Sequence, residues 1–105
     1  MSGDARDFHG LVAEADGHLL GLTHYVFHPN LWRPEGVCYL QDLFTAPEAR
    51  GQGVARALIE GVYAAANAAG VPAVYWLTAE TNYPGRMLYD RVAVKSPFIR
   101  YNRAP

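Results

Sequence analysis

Cysteine is almost missing from these 105 residues: Cys38 stands alone. No internal disulfide can form, so packing must hold the fold, and a reducing compartment, the cytoplasm by default, is the expectation. Set in an apolar run between Val37 and Tyr39, this thiol reads as buried and inert rather than as a nucleophile. An excess of either charge is also lacking. The formal net charge of −1 leaves no long-range field to draw in nucleic acid or an anionic membrane. Arg100 and Arg103 read as ordinary solubilising charge. No apolar run approaches the roughly 18 residues that cross a bilayer. The start, Met1-Ser2-Gly3-Asp4, has neither the basic opening nor the apolar stretch of a signal peptide. His18, His24 and His28 fall in a strand-and-loop segment, where spacing by four does not make a metal pair, so no metal site is expected.

What is present is apolar patterning. Half the residues are hydrophobic, enough for one small domain over 1–105 with no linker, repeat or low-complexity tract. Leu11–Glu14 and Leu19–Phe27 read as a hairpin around Asp16-Gly17. Leu19–Phe27 has no clearly polar face, which predicts a strand that is central or covered on both sides. His28–Gly36 carries Pro29 and Pro34 and is expected to be irregular. Val37–Thr45 follows as a third strand. The strongest helix spans Gln52–Ala69, with a stripe of Ala55, Leu58, Ile59, Val62, Tyr63 and Ala66, and Gly70 ends it. Val71–Thr78 reads as strand, Asn82–Val92 as a short helix capped by Asn82 with Pro84 in its first turn, and Phe98–Tyr101 as an edge strand. The order β-β-β-α-β-α-β defines a mixed α/β fold with a mainly antiparallel sheet and packed helices.

Between the third strand and the long helix lies Phe44-Thr45-Ala46-Pro47-Glu48-Ala49-Arg50-Gly51-Gln52-Gly53-Val54-Ala55. Gly51 and Gly53 permit backbone shapes closed to other residues and leave room for a ligand. The first helical turn has unpaired N–H groups at the positive end of the helix dipole, a ready site for an anion such as a pyrophosphate. Arg50 adds a cation, and small Ala55 allows close approach. The plainer reading, two glycines easing entry into a helix, is outweighed by the strand before them, the helix after them and the arginine beside them. A Walker-type loop needs Gly-Lys-Ser/Thr where the chain has Gly53-Val54-Ala55. A dinucleotide fingerprint needs a third glycine where Arg56 stands, and Glu80 is only loosely placed to hold a ribose.

Arg50-Gly51-Gln52-Gly53-Val54-Ala55 matches the Arg/Gln-x-x-Gly-x-Gly/Ala signature, and the chain thereby resembles the GCN5-related N-acetyltransferases. Asp42-Leu43-Phe44-Thr45-Ala46-Pro47-Glu48 follows the family's preceding strand. Asn82-Tyr83-Pro84-Gly85-Arg86-Met87-Leu88-Tyr89 resembles its Asn-x-x-Ala-x-x-x-Tyr element, with Gly85 for alanine and Ala93-Val94 for a Gly-Phe pair. The resemblance covers roughly residues 11–103 and is nearest to the polyamine and small-amine acetyltransferases. Such proteins begin with a strand and two helices ahead of the hairpin. This chain has no room for them, so a truncated acyl-CoA N-acyltransferase fold with an incomplete acceptor wall is the expectation.

The resemblance implies acetyl-CoA as cosubstrate and no metal. Arg50 and the amides of Gly51, Gln52, Gly53, Val54 and Ala55 would hold the pyrophosphate. The backbone of Leu43, Phe44 and Thr45 would meet the pantetheine arm, with Asn82 also at the cofactor. A small-molecule or peptide amine would attack the thioester directly, and a backbone N–H would steady the developing oxyanion. Tyr89 is the candidate general acid for the departing thiolate, with core packing as its other reading. The glutamate that serves as base in amine-acetylating relatives corresponds to Gln41, which cannot take a proton. Asp42 beside it is left as base, as binder of the substrate's positive charge, or as a structural carboxylate. Tyr39, Tyr75, Trp76 and Tyr83 read as core more than as channel, and Trp32 as exposed. An N-acetyltransferase is thus expected. The other reading is a non-catalytic module that binds CoA or only dimerises. A homodimer is expected to cover the open side.

Overall fold

In the computed structural model, which describes residues 8–104, a four-stranded sheet in the order β1-β2-β3-β4 carries two helices. The strands are β1 (Phe8–Ala15), β2 (His18–Asn30), β3 (Arg33–Thr45) and β4 (Val74–Tyr75); a 3-10 turn spans Pro47–Ala49, and the helices are α1 (Val54–Ala68) and α2 (Tyr83–Val92). The first three strands are antiparallel and β4 is parallel to β3. Asp16 and Gly17 both take positive φ, 53° and 78°, as a two-residue turn joining twisted strands requires.

Several expected boundaries move. His28–Gly36 is not an irregular loop but the end of a second hairpin, whose tip is Leu31-Trp32. Asn30 builds this turn itself: its Oδ1 accepts from the N–H groups of Trp32 at 2.8 Å and Arg33 at 3.1 Å. Pro29 falls at a register shift between His28 and Asn30, where a ladder bond is already broken, and Pro34 is the second residue of β3. Both positions tolerate a missing N–H. The fourth strand shrinks from Val71–Thr78 to a pair of residues, because only Cys38 and Tyr39 of β3 offer it partners. Phe98–Tyr101 is not a strand: β4 is too short to template one, and Phe98, Ile99 and Tyr101 are exposed. The order among the described residues is therefore β-β-β-α-β-α. In α1, Val54 rather than Ala55 begins the buried stripe, which continues through Leu58, Ile59, Val62 and Ala66. Gly70 closes the helix: its N–H donates to the Asn67 carbonyl and that of Val71 to the Ala66 carbonyl.

The sheet has two unlike faces. Residues paired across an antiparallel ladder share a face, so Thr23 and Tyr25 of β2 join Cys38, Leu40 and Leu43 of β3 on the inner one. There they meet Ile59, Val62 and Ala66 of α1, with Leu88, Tyr89 and Val92 of α2 at the margin. The Tyr63 hydroxyl ties the helices together by donating to the Val92 carbonyl at 2.9 Å. On the outer face lie Phe8 and Val12 of β1, His24, Val26 and His28 of β2, and Tyr39, Asp42 and Phe44 of β3. No helix among the described residues covers that face, so β2 is central in the sheet but packed on one side only.

Candidate functional site

The start of α1 is built as a socket. Gly51 and Gly53 take φ of 81° and 78°, conformations that side chains strongly disfavour. A Cβ at either would meet nothing within 4 Å, so this stretch of backbone is open to a ligand. Gly53 is the N-cap residue and supplies no side chain, and the first turn carries no acidic residue. The first intrahelical bond runs from Ala57 N to Gly53 O at 3.0 Å, which leaves the N–H groups of Val54, Ala55 and Arg56 without a helical acceptor. Arg50 is exposed immediately before, and among the described residues its guanidinium forms no ion pair. Gln52 donates to the Glu48 carbonyl at 3.4 Å, folding its side chain back along the turn.

What holds the socket against the sheet is not legible in the sequence. Ala46 and Ala49 are buried and pack with Val54 and Leu58, and Gly21 on β2 lies directly under the helix start. A Cβ there would come within 2.6 Å of the Phe44 carbonyl oxygen and 2.8 Å of Val54. The signal was the smallness of these residues, which is visible only once the partner surface is known.

Beside the socket, β3 has a free edge. It pairs with β4 only at Cys38–Val74 and Tyr39–Tyr75, after which the two parallel strands part. Between them, at Gln41, β3 carries a bulge: His24 pairs with Asp42 while Tyr25 pairs with Leu40. The extra residue reverses which backbone groups face β2. Ala46 N–H donates to the Leu20 carbonyl at 2.8 Å, so by two-residue alternation Leu43 and Thr45 direct their N–H and C=O away from β2, toward the gap. A cavity of about 220 Å³ fills the divergence and is lined by Leu40–Leu43, Ile59, Trp76–Thr78, Asn82 and Tyr89.

Tyr89, Asn82, Asp42 and Leu43 thus reach one cavity, while Arg50–Ala55 forms the adjoining socket. Tyr89 is partly buried, its ring edge-on to Trp76 with centroids 5.5 Å apart. Burial raises its phenol above the ordinary value, which keeps the proton in place. Asn82 caps α2, accepting from Gly85 N–H at 3.3 Å and donating to Thr78 Oγ1 at 2.9 Å. Phe44 lies on the outer face, so only its backbone is near the gap. Asp42 is engaged: its carboxylate meets the His24 ring and backbone N–H, a partner the sequence reading passed over. Tyr39 and Tyr75 stack on the outer face, 4.9 Å between centroids, while Trp76 turns inward against Tyr63. Tyr83 and Trp32 are exposed. Cys38 is fully buried, and desolvation raises its thiol to about 11.

The chain is similar to known proteins. A D-amino-acid N-acetyltransferase of Saccharomyces cerevisiae is 42% identical over 87 residues, 83% of this chain and 54% of that protein, so the chain spans about half the length of this relative. Among solved structures, a ribosomal-protein-alanine N-acetyltransferase from Brucella melitensis biovar Abortus 2308 superposes with a TM-score of 0.84 at 22% identity, over 95% of this chain and 72% of the other. The acetyltransferase AAC(6')-Iy, in complex with a CoA-based bisubstrate analogue, gives 0.82 at 21% identity, over 96% and 71%. At such identities these structures speak for the fold alone. The chain matches the model of the Acetyltransferase (GNAT) family across residues 2–93, most of its length, and it belongs to that family.

Proposed function

We propose that this chain transfers the acetyl group of acetyl-CoA to a primary amine by direct attack. The observation that carries the reading is the free, gap-facing edge of β3 lying next to an uncapped helix start. A pantetheine arm has amides spaced to pair with such an edge as an added strand, and a pyrophosphate suits the socket. The residues present fit the cosubstrate: Arg50 and the amides of Gly51–Ala55 hold the diphosphate, Leu43 and Thr45 pair with the arm, and Asn82 borders it. Tyr89, in the same cavity, donates a proton to the departing thiolate. Asp42 stands at the cavity's acceptor side as one half of a pair with His24.

Calorimetry with acetyl-CoA, followed by thiol release with polyamines, peptide amino termini and both enantiomers of small amino acids, tests the reading. The amino acids are included because the yeast relative is named for that substrate class. Saturable binding with amine-dependent release is expected, and Arg50→Ala should weaken acetyl-CoA at least about tenfold, the scale of a lost charge-assisted contact. Absence of binding would sink the proposal. Binding with no release for any amine would select the second reading, a CoA-binding module, which Gln41 in the bulge favours. The proposal includes a homodimer, supported by the exposed outer-face Phe8, Val12 and Phe44. A monomer mass in light scattering would remove that part.

A further inference from the structure

We infer that Tyr63 of α1 is a positioning residue for the reaction: together with Trp76 it holds the ring of Tyr89 where the phenol can reach the departing sulfur. This rests on the acetyl-transfer reading and adds to it a residue that does not line the cavity.

α2 is thinly attached to the rest of the chain. None of its ten residues is fully buried, and only Leu88, Tyr89 and Val92 pack against the central cluster. The Tyr89 hydroxyl has no hydrogen-bond partner among the described residues, so the placing of this proton donor falls to its ring. Two contacts fix that ring. Its edge meets Trp76, with centroids 5.5 Å apart and planes at 68°, an arrangement that aromatic quadrupoles favour. One turn further along the helix, the Val92 carbonyl accepts from the Tyr63 hydroxyl at 2.9 Å. The Ala93 N–H closes the same turn by donating to the Tyr89 carbonyl at 2.9 Å.

Tyr63 reaches Tyr89 by both routes. Its ring lies 6.3 Å from that of Trp76 and tilts by 33°, so the indole is held between tyrosines from two helices. Trp76 needs that hold. β4 ends at Tyr75, and Trp76–Thr78 have no ladder partner on β3. Packing against α1 and α2, rather than strand pairing, therefore sets the far wall of the gap. Among the described residues, the Tyr63 hydroxyl makes the one hydrogen bond that joins α2 to another helix or strand. Burial raises this phenol above its ordinary value, which keeps it a donor.

In the reaction, the lone pair of the neutral amine forms the N–C bond as the carbonyl π electrons move to oxygen. Collapse re-forms the carbonyl and breaks the C–S bond, and the sulfur takes the Tyr89 proton. The new amide nitrogen releases its surplus proton to water, and the Tyr89 phenolate regains one from water. The sum is amine plus thioester giving amide and thiol. Proton donation works only within hydrogen-bond reach, and a misplacement of about 1 Å can cost on the order of 100-fold in rate. Tyr63 lies nine residues beyond Val54 on α1, about 13 Å from the socket along the helix axis. Its hydroxyl thus bears on the thiolate step and not on the anion.

The test is a double-mutant cycle on the full chain, Tyr63→Phe with Tyr89→Phe, followed by thiol release and by calorimetry with acetyl-CoA. Tyr63→Phe keeps the ring against Trp76 and removes only the hydroxyl. It should bind acetyl-CoA within about twofold of the wild type and lose about tenfold in kcat. In the Tyr89→Phe background the same change should cost less than about twofold, because the group it places is gone. In the free chain, hydrogen exchange at the Ala93 amide should be at least about fivefold faster in Tyr63→Phe, the scale of one lost hydrogen bond. Full kcat in Tyr63→Phe overturns the inference, and so does an unchanged Ala93 amide. A loss of equal size with and without the Tyr89 hydroxyl also overturns it, since Tyr63 would then serve stability alone. If the wild type releases no thiol with any amine, the acetyl-transfer reading has failed and takes this inference with it. Release by the wild type with an indifferent Tyr63→Phe fails the inference alone.

Discussion

The two faces of the sheet are composed of similar residues and have opposite fates. On the inner face Cys38 pairs with α1, and Cys38, Ile59, Val62 and Ala66 are all at 0% exposure, whereas Phe8 and Val12 of the outer face remain 50% and 61% exposed. Both faces are apolar enough to be core. What separates them is the helix: the amphipathic stripe of α1 can cover one face only, and the interrupted apolar pattern on the other includes His24, His28 and Asp42. The candidate groups therefore lie on both sides of β3, with the proposed anion socket on the packed side and the His24–Asp42 pair on the open one. An apolar surface with such polar groups inside it is the usual mark of a surface that meets something else.

The sharpest way to break this contrast is to truncate a side chain on each side. Ile59→Ala removes fully buried atoms from the central cluster and should cost about 3 kcal/mol in urea denaturation. Phe44→Ala, on a side chain already 46% exposed in the single chain, should cost under about 1 kcal/mol at concentrations low enough to keep the chain monomeric. Equal costs would mean that the outer face is covered in solution, and the contrast would fall.

Much of this boundary could be read before any coordinates. The hairpin at Asp16-Gly17, the span of α1, its glycine stop and the Asn82 cap all follow from local chemistry, because each depends on residues within a few positions of one another. The match to the Arg50–Ala55 signature likewise needs no tertiary knowledge. What escaped was non-local. Pro29 and Pro34 read as breakers, yet the Asn30 side chain closes a hairpin around them. Val71–Thr78 has strand composition throughout, but only its middle finds a partner on β3. Asp42 stands out in the sequence and His24 does not. Their pairing depends on a one-residue bulge whose position no periodicity reveals.

Gly21 offers the next largest effect and ties packing to the socket. A Cβ at this position meets a backbone oxygen, which cannot swing away, and the buried side chain of the first residue of α1. Gly21→Ala should destabilise by about 2 kcal/mol and also weaken acetyl-CoA, since the helix start must move. Gly51→Ala is the matched control: its added atom meets nothing, so its cost of about 1 kcal/mol arises from the φ of 81° alone. Equal loss of stability in both would show that the seating of α1 on Gly21 has no special part.

Alkali distinguishes the faces more gently. Buried Cys38 has its thiol raised to about 11 from 9.0, so the unfolded chain loses this proton first as pH rises. The sign follows: the contribution is fully present below pH 9 and fades as pH climbs through the folded value. At pH 10 it should amount to a loss of about 1.4 kcal/mol relative to pH 8. Tyrosines titrate over the same range, so the measurement is the difference in slope between wild type and Cys38→Ala in denaturation at the two pH values. Identical slopes would mean that the inner face admits water at Cys38.

The smallest effect falls at the far wall of the gap. Gly85 stands inside α2, and a Cβ there would lie 2.5 Å from Asn82 Nδ2. Glycine in a helix costs about 1 kcal/mol relative to alanine, and a lost Asn cap costs about the same. Gly85→Ala should therefore change stability by no more than a few tenths while forcing Asn82 out of its cap. The displaced amide would no longer donate to Thr78 and would point into the cavity it shares with Tyr89. If Asn82 borders the cosubstrate, acetyl-CoA affinity should shift although the melting temperature does not. A variant that keeps its affinity would assign Asn82 to the helix alone, and the gap would then be defined on this side by Tyr89 and Trp76.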